Sequence, residues 1–248
     1  MVNDKFVFEL SGVSFNYPYD EPVLRNISLG ITEGEKVCIL GANGCGKSTL
    51  LKLLAGLVYP KSGSFKAFGQ EVSEKSFLNS SFLKTYHKRI GFIFQESDVQ
   101  LFCSTVREEI AFGPMQLDLP RDDVIKRVED IMNLLDICHL RNKVPFKLSG
   151  GEKKKVAIAS VLVLNPQVLI LDEPTNGLDP KTQRWMAELL TTLNNNGKTL
   201  IISTHNLDLV LELSDRAVVL GEDHSIAIDD STGTVLKSKE VLRQVNLI

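Results

Sequence analysis

The chain has 248 residues, of which 43% are hydrophobic and 24% charged, with a formal net charge of −3. That length gives one large domain or two small ones, and the slightly acidic balance gives no general footprint for nucleic acid. The longest nearly apolar run, Val156 to Leu164, has nine residues and contains Ser160, too short to cross a bilayer.

The opening "MVNDKFVFEL" carries acidic residues where a signal peptide needs a continuous apolar stretch, so a cytoplasmic chain is expected. Cys38, Cys45, Cys103 and Cys138 show neither Cys-x-x-Cys spacing nor a neighbouring histidine cluster, which argues for reduced thiols over a disulfide framework or zinc site.

In chain order, Val13, Phe15 and Tyr17 alternate with polar residues and predict a half-exposed antiparallel layer. "KVCIL" (36–40) then reads as a strand buried on both faces. It is followed by "GANGCGKSTLLKLLAGL", whose leucines predict a helix over 48–57 with Leu50, Leu53, Leu54 and Leu57 on one buried face. "RIGFIF" (89–94) is a second buried strand. Residues 104–147 hold helix-favouring residues and no strand run, which predicts a helical insertion with one helix over 122–136. Helices over 150–164 and 181–195 alternate with strands at 168–171, 199–204 and 217–220, the pattern of a parallel α/β sheet. A hairpin around "EDHSIAIDDSTG" and a helix from Ser238 complete the reading, and no internal repeat is visible.

Residues 41–48 match G-x-x-x-x-G-K-[ST] between a predicted strand and helix, the context that gives the pattern its meaning. The glycines let successive N–H groups curl around phosphate oxygens, and the helix start adds its positive dipole end. Lys47 would neutralise the β- and γ-phosphates, and the Ser48 hydroxyl would ligate Mg²⁺. Cys45 within the loop is either a small residue in a small slot or a thiol activated by the helix end, alkylation of which would block nucleotide binding.

Downstream, "VLILDEPTNGLDP" ends a buried strand in Asp172 and Glu173. Asp172 suits Mg²⁺ held through water, and Glu173 suits orienting or deprotonating an attacking water. In "KLSGGEKKKVAIASVLVLNP", Ser149 and Glu152 form a capping-box pattern and Pro166 marks the far end of the helix. Gly150 and Gly151 are poor helix formers, so bare backbone at a second positive helix end again suggests an anion. Lys153, Lys154 and Lys155 oppose that dipole, either because an anion sits nearby or as a solvated charged face.

These elements, in this order, resemble the ATP-binding subunit of an ABC transporter over nearly the whole chain. Walker A matches 41–49, the "LSGGQ" signature matches "LSGGE" at 148–152, and Walker B matches 168–173. The D-loop matches "GLDP" (177–180), the switch histidine is His205 in "STH", and the Q-loop glutamine is Gln95. Glu152 in place of glutamine is the one departure within the signature.

The resemblance implies an α/β P-loop NTPase (RecA-like) parallel-sheet core with an N-terminal antiparallel β subdomain and an inserted α-helical subdomain. It implies one domain over 1–248: core about 1–95 and 150–225, helical subdomain about 96–149, and a C-terminal extension at 226–248. The cofactors implied are ATP and Mg²⁺. Tyr17 would stack on adenine, and Gly41, Asn43, Gly44, Cys45, Gly46, Lys47, Ser48 and Thr49 would hold the phosphates. Ser48, Gln95 and Asp172 would meet the metal, Glu173 would be the general base and His205 a γ-phosphate clamp. Ser149, Gly150 and Gly151 would act on the nucleotide of a second ATPase subunit, identical or related, with Asp179 at the seam.

"FQESDVQLF" and "VREEIAFGPMQLDLP" are further similar to the energy-coupling-factor and cobalt-type importer ATPases. Asp98, Gln100, Leu101 and Phe102 fit that pattern, while Glu96 and Ser97 replace its Asn-Pro. That likeness implies integral membrane subunits docking near Gln95–Phe102, import of a metal ion or vitamin, and a place on the cytoplasmic face of the membrane. Leu101 and Phe102 are either docking contacts or subdomain core. The alternative is an ABC ATPase of DNA repair, chromosome organisation or translation, whose usual coiled-coil insertions or tandem domains this sequence lacks. A stand-alone kinase or GTPase would leave the signature and "STH" unexplained.

Overall fold

The computed structural model describes residues 6–19 and 21–248; residues 1–5, the start of the stretch weighed above against a signal peptide, lie outside the described residues. The first sheet is antiparallel and ordered β2-β1-β4-β5: β1 (Phe6–Phe15), β2 (Leu24–Thr32), β4 (Ser62–Ala67) and β5 (Gln70–Glu71). Val13 and Phe15 point into its packed side, as their alternation predicts, and Tyr17 lies beyond the end of β1.

The second sheet runs β10-β9-β3-β8-β7-β6. Its parallel strands are β3 (Lys36–Leu40), β6 (Ile90–Ile93), β7 (Val168–Asp172), β8 (Thr199–Ser203) and β9 (Arg216–Leu220). Both faces of this sheet are covered, so its strands read as unbroken apolar runs. Val37, Ile39, Val168 and Ile170 face a core shared with the antiparallel sheet. Cys38, Leu40, Leu169 and Leu171 face the opposite core, built on the helices.

Between the two sheets lies α1 (Lys47–Leu54), with Leu50, Leu51, Leu53 and Leu54 all fully buried. It is shorter than predicted: Gly56 turns left-handed at φ 72, and Leu57, expected on the buried face, is 47% exposed. Against the other face pack α5 (Gly150–Leu162), α6 (Pro180–Asn195) and α7 (Leu207–Leu213). Between β6 and α5 the chain forms α3 (Val106–Gln116) and α4 (Arg121–Leu134), within the segment predicted as a helical insertion.

Some helices lie outside the sequence reading. Helix α2 (Ser80–Arg89) was not foreseen; it is capped by Asn79, which accepts from Ser81 N and Phe82 N, and packs Phe82 and Tyr86 on Phe77. The predicted hairpin forms between β9 and β10. Strand β10 (Ile226–Ser231) folds back antiparallel on β9, and α8 (Thr232–Lys237) follows it. Helix α9 (Lys239–Gln244) begins at the predicted place, and Leu242 and Val245 are buried.

Strand β6 owes its glycine to α5. A Cβ on Gly91 would lie 2.3 Å from Val161 Cγ1 and 3.0 Å from Leu169 Cδ2, so only bare backbone lets helix and strand approach this closely. Gly91→Val should therefore cost about 1–3 kcal/mol by overpacking, lowering the melting temperature by roughly 2–4 °C per kcal/mol. Gly233→Ala, at a helical position with nothing within 4 Å, should leave it unchanged or slightly raised in the same thermal scan.

Candidate nucleotide site

Between β3 and α1 the backbone makes the curled loop that the glycines predict. Gly46 caps α1 at φ 110, a left-handed value, and a Cβ there would lie 2.5 Å from the Val23 carbonyl oxygen. The loop borders a cavity of about 500 Å³. Asn43, Gly44, Gly46, Lys47, Ser48 and Thr49 line one side of it. With no acidic residue in the first turn of α1, nothing competes for its N–H groups. Lys47 Nζ donates to Gly41 O (2.7 Å) and Ala42 O (3.0 Å), so the ammonium is held within the loop it would leave to reach a phosphate.

Gln95, Glu173 and His205 line the opposite side. Strand β7 stops at Asp172, whose Oδ1 accepts from the Ser203 hydroxyl at 2.6 Å. At Glu173 the backbone switches to φ 44, which sends adjacent carboxylates in different directions. The Glu173 N–H is anchored to Ser203 Oγ (2.9 Å), and its Oε1 meets His205 Nδ1 at 2.9 Å. Positive φ in a non-glycine residue is strain that the surrounding bonds must hold, and it is held here at a buried acid facing a polar cavity.

The second helix end lies elsewhere. Ser149 caps α5 with the predicted capping box: Ser149 Oγ accepts from Glu152 N, and Glu152 Oε2 accepts from Ser149 N (2.8 Å) and Oγ (2.9 Å). Those backbone and hydroxyl donors hold the Glu152 carboxyl below its ordinary range, with Lys143 adding to the effect. Ser149, Gly150 and Gly151 border a separate cavity of about 540 Å³, along with Asp179 and Trp185. Asp179 itself caps α6, accepting from Lys181 N and Thr182 N.

The three lysines do not form a solvated face, and Lys155 lines the same cavity as Ser149, Gly150 and Gly151. Lys153 pairs with Asp98 at 2.6 Å, and Lys155 lies 4.8 Å over the Trp185 ring. Lys154 is buried and donates to the carbonyls of Phe94 (3.1 Å) and Gln95 (2.9 Å); burial lowers its pKa to about 8, against the pull of Asp172. Gln100 completes the tie, accepting from Phe94 N (3.3 Å) and donating to Ala157 O (2.9 Å). Lys153 and Lys154 thus fasten α5 to the loop that carries Gln95, and Lys155 lies against α6.

Of the residues singled out by sequence, the structure gathers Asn43, Gly44, Gly46, Lys47, Ser48, Thr49, Gln95, Glu173 and His205 around one cavity. Gly41 and Cys45 lie behind the loop, buried, and Tyr17 stands outside the cavity with its ring edge-on to Phe15. The activated-thiol reading of Cys45 is corrected: burial raises its pKa, outweighing the neighbouring Lys47 charge. Leu101 packs on the helical core, as one alternative had it, whereas Phe102 is 67% exposed and edge-on to Phe112 and is not core. Val23 and Asn176 also line the cavity and were missed. Asn176 sat within a quoted motif, but nothing marks Val23 in the sequence.

A glycine-cradled helix end facing a carboxylate at the end of another parallel strand of the same sheet, one strand removed, defines a P-loop nucleotide hydrolase. The ABC transporter family model matches residues 24–176, and the chain belongs to that family as an ATP-binding, ATP-hydrolysing subunit. It is 44% identical to the nickel import ATP-binding protein NikO of Rhodobacter capsulatus, over 97% of this chain and 95% of that one. To the energy-coupling factor transporter ATP-binding protein EcfA of Carboxydothermus hydrogenoformans it is 40% identical, over 96% of this chain and 86% of that one. Among solved structures, it matches an ATP-binding cassette seen as a dimer in a post-hydrolysis state with ADP and Pi. That match has TM-score 0.81 and 27% identity, covering 91% of this chain and 98% of that one.

Two outcomes follow from this geometry. Iodoacetamide at pH 7.5 should leave Cys45 unmodified while labelling the more exposed Cys138, read by peptide mass spectrometry. Because the Cys45 thiol is raised, its labelling should keep increasing with pH beyond 9 and not level off near neutrality. Lys154→Met keeps the buried stem and frees two carbonyls. It should lower kcat about tenfold at saturating ATP and leave the Kd for ADP within twofold, since Lys154 touches the Gln95 loop and not the phosphate loop.

Proposed function

We propose that this chain is the ATPase subunit of a membrane importer of the energy-coupling-factor type, working as a head-to-tail pair with a second copy or a related chain. The observation that carries this reading is that one chain holds two separate anion-seeking helix ends. The start of α1 faces the chain's own hydrolytic carboxylate, and the start of α5 lies in a different cavity. A triphosphate is best met by donors from both sides, so the α5 end of one subunit would cover the nucleotide on the α1 end of the other.

Lys47 exchanges the Gly41 and Ala42 carbonyls for the β- and γ-phosphates. Glu173 Oε takes the proton from the attacking water, and His205, held by Glu173, faces the γ-phosphate. Tyr17 stacks on adenine and Asp179 lies at the seam. Mg²⁺ is proposed at Ser48, Asp172 and Gln95. Among the described residues no group of three or more His, Cys, Asp or Glu side chains could hold a metal unaided, and Mg²⁺ fits because it takes few protein ligands beside phosphates and water. When bound, it neutralises charge on the β- and γ-phosphates. Cleavage removes the group that the α5 end holds, and the pair loosens.

No helix among the described residues is long and apolar enough to cross a membrane, so the proposed transport path belongs to other subunits. Their docking surface is proposed along Gln95–Phe102, where Phe102 stands exposed beside the loop that Lys154 ties to α5. The proposed location is accordingly the cytoplasmic face of the membrane. The likeness to a nickel import protein supports a micronutrient as cargo, a metal ion or a vitamin.

Glu173→Gln should bind ATP, lose at least 100-fold in turnover and double in mass on MgATP addition by light scattering, or do so within its membrane complex. Lys47→Ala should bind ADP at least tenfold more weakly, about 1.4 kcal/mol. Wild-type turnover in Glu173→Gln, or no MgATP-driven association with or without the membrane subunits, overturns the reading.

A further inference from the structure

We infer that His224, in the turn joining β9 to β10, is a positioning residue for the phosphate loop. Its Nδ1 lies 3.2 Å from the Cys45 carbonyl oxygen, 179 residues away in sequence. A carbonyl only accepts, so the contact requires the proton on Nδ1. In a trans peptide the C=O and the next N–H point to opposite sides of the chain. Holding the Cys45 carbonyl outward therefore turns the Gly46 N–H inward, and Gly46 lines the phosphate cavity. Glycine offers no Cβ to resist a flip of that peptide, so an outside hold is what keeps the donor aimed.

The turn is built to supply that hold. His224 adopts φ 67, unfavourable for its side chain, and three contacts keep it there. His224 N donates to Gly221 O (3.0 Å), His224 O accepts from Arg25 N (2.9 Å), and Asp223 caps Ser225 N (3.2 Å). The same strand end abuts the first loop residue: a Cβ on Gly41 would lie 2.8 Å from Leu220 O. Residues 23–25 and 220–224 thus enclose the loop from outside, and His224 bonds both to the loop and to Arg25.

The inference rests on the phosphate-loop reading of residues 41–49, and its test separates the two. MgADP binding is measured by calorimetry on the full chain carrying His224→Gly, His224→Asn or Lys47→Ala. Glycine and asparagine both accept the left-handed backbone, but only asparagine keeps an N–H at the position of Nδ1. The expected result is a Kd raised about five- to tenfold in His224→Gly and within twofold of wild type in His224→Asn, with KM for ATP moving and kcat little changed. Equal affinities in wild type and His224→Gly overturn the inference, as does His224→Asn binding as weakly as His224→Gly. Undiminished binding in Lys47→Ala would instead overturn the phosphate-loop reading beneath it. Should His224→Gly fail to fold, imidazole ¹⁵N shifts of the wild-type chain at a pH where the ring is neutral decide the matter: an Nδ1–H tautomer is expected, and an Nε2–H tautomer overturns it.

Discussion

A triphosphate concentrates more negative charge than a single helix end can offset, and much of this molecule follows from that mismatch. Each helix end offers only its first few N–H groups and about half a positive charge. The start of α1 is kept bare by glycine and has no acidic residue in its first turn. The start of α5 is bare in a different way. Its capping box engages the Ser149 and Glu152 N–H groups and not those of Gly150 and Gly151. One chain presents two such ends in two cavities, and the proposed pairing with a second chain rests on that separation.

A site divided between two chains, as proposed, is useful only if each half senses the other, and the connection available here is short. Helix α5 begins at the end proposed to meet a partner and runs along β6, where the missing Cβ of Gly91 lets Val161 sit against the strand. Near its start, Lys153, Lys154 and the carbonyl of Ala157 hold Asp98, the Phe94 and Gln95 carbonyls, and Gln100. A shift of α5 would therefore be passed to the Gln95 loop through the part-buried bonds of Lys154 and Gln100. Exposed Phe102 lies just beyond those bonds, on the proposed membrane side.

The hydrolytic corner shows the same economy of distance. Ser203 holds both Asp172, through its hydroxyl, and the backbone of Glu173, so two neighbouring carboxylates are anchored by one β8 residue. His205, two residues on, meets Glu173 directly. The left-handed backbone at Glu173 separates the two acids, one turned into the buried β7–β8 junction and the other toward the cavity.

The family resemblance brought in Gln95 and His205; the sequence by itself determined the parallel strands, the glycine loop with Lys47, the capping box and the strand-end carboxylate Glu173. Each is a local pattern: an unbroken apolar run, a glycine spacing, or a carboxylate ending a buried strand. It could not determine α2, whose packing rests on an aromatic cluster with Phe77, or the register of β10 on β9, because register is set by distant contacts. Nor could it show that three consecutive lysines reach an aspartate, two carbonyls and a tryptophan ring, that burial quiets the Cys45 thiol, or that Val23 and His224 touch the loop. Those outcomes depend on which residues far apart in the chain meet in space, and only the tertiary structure decides that.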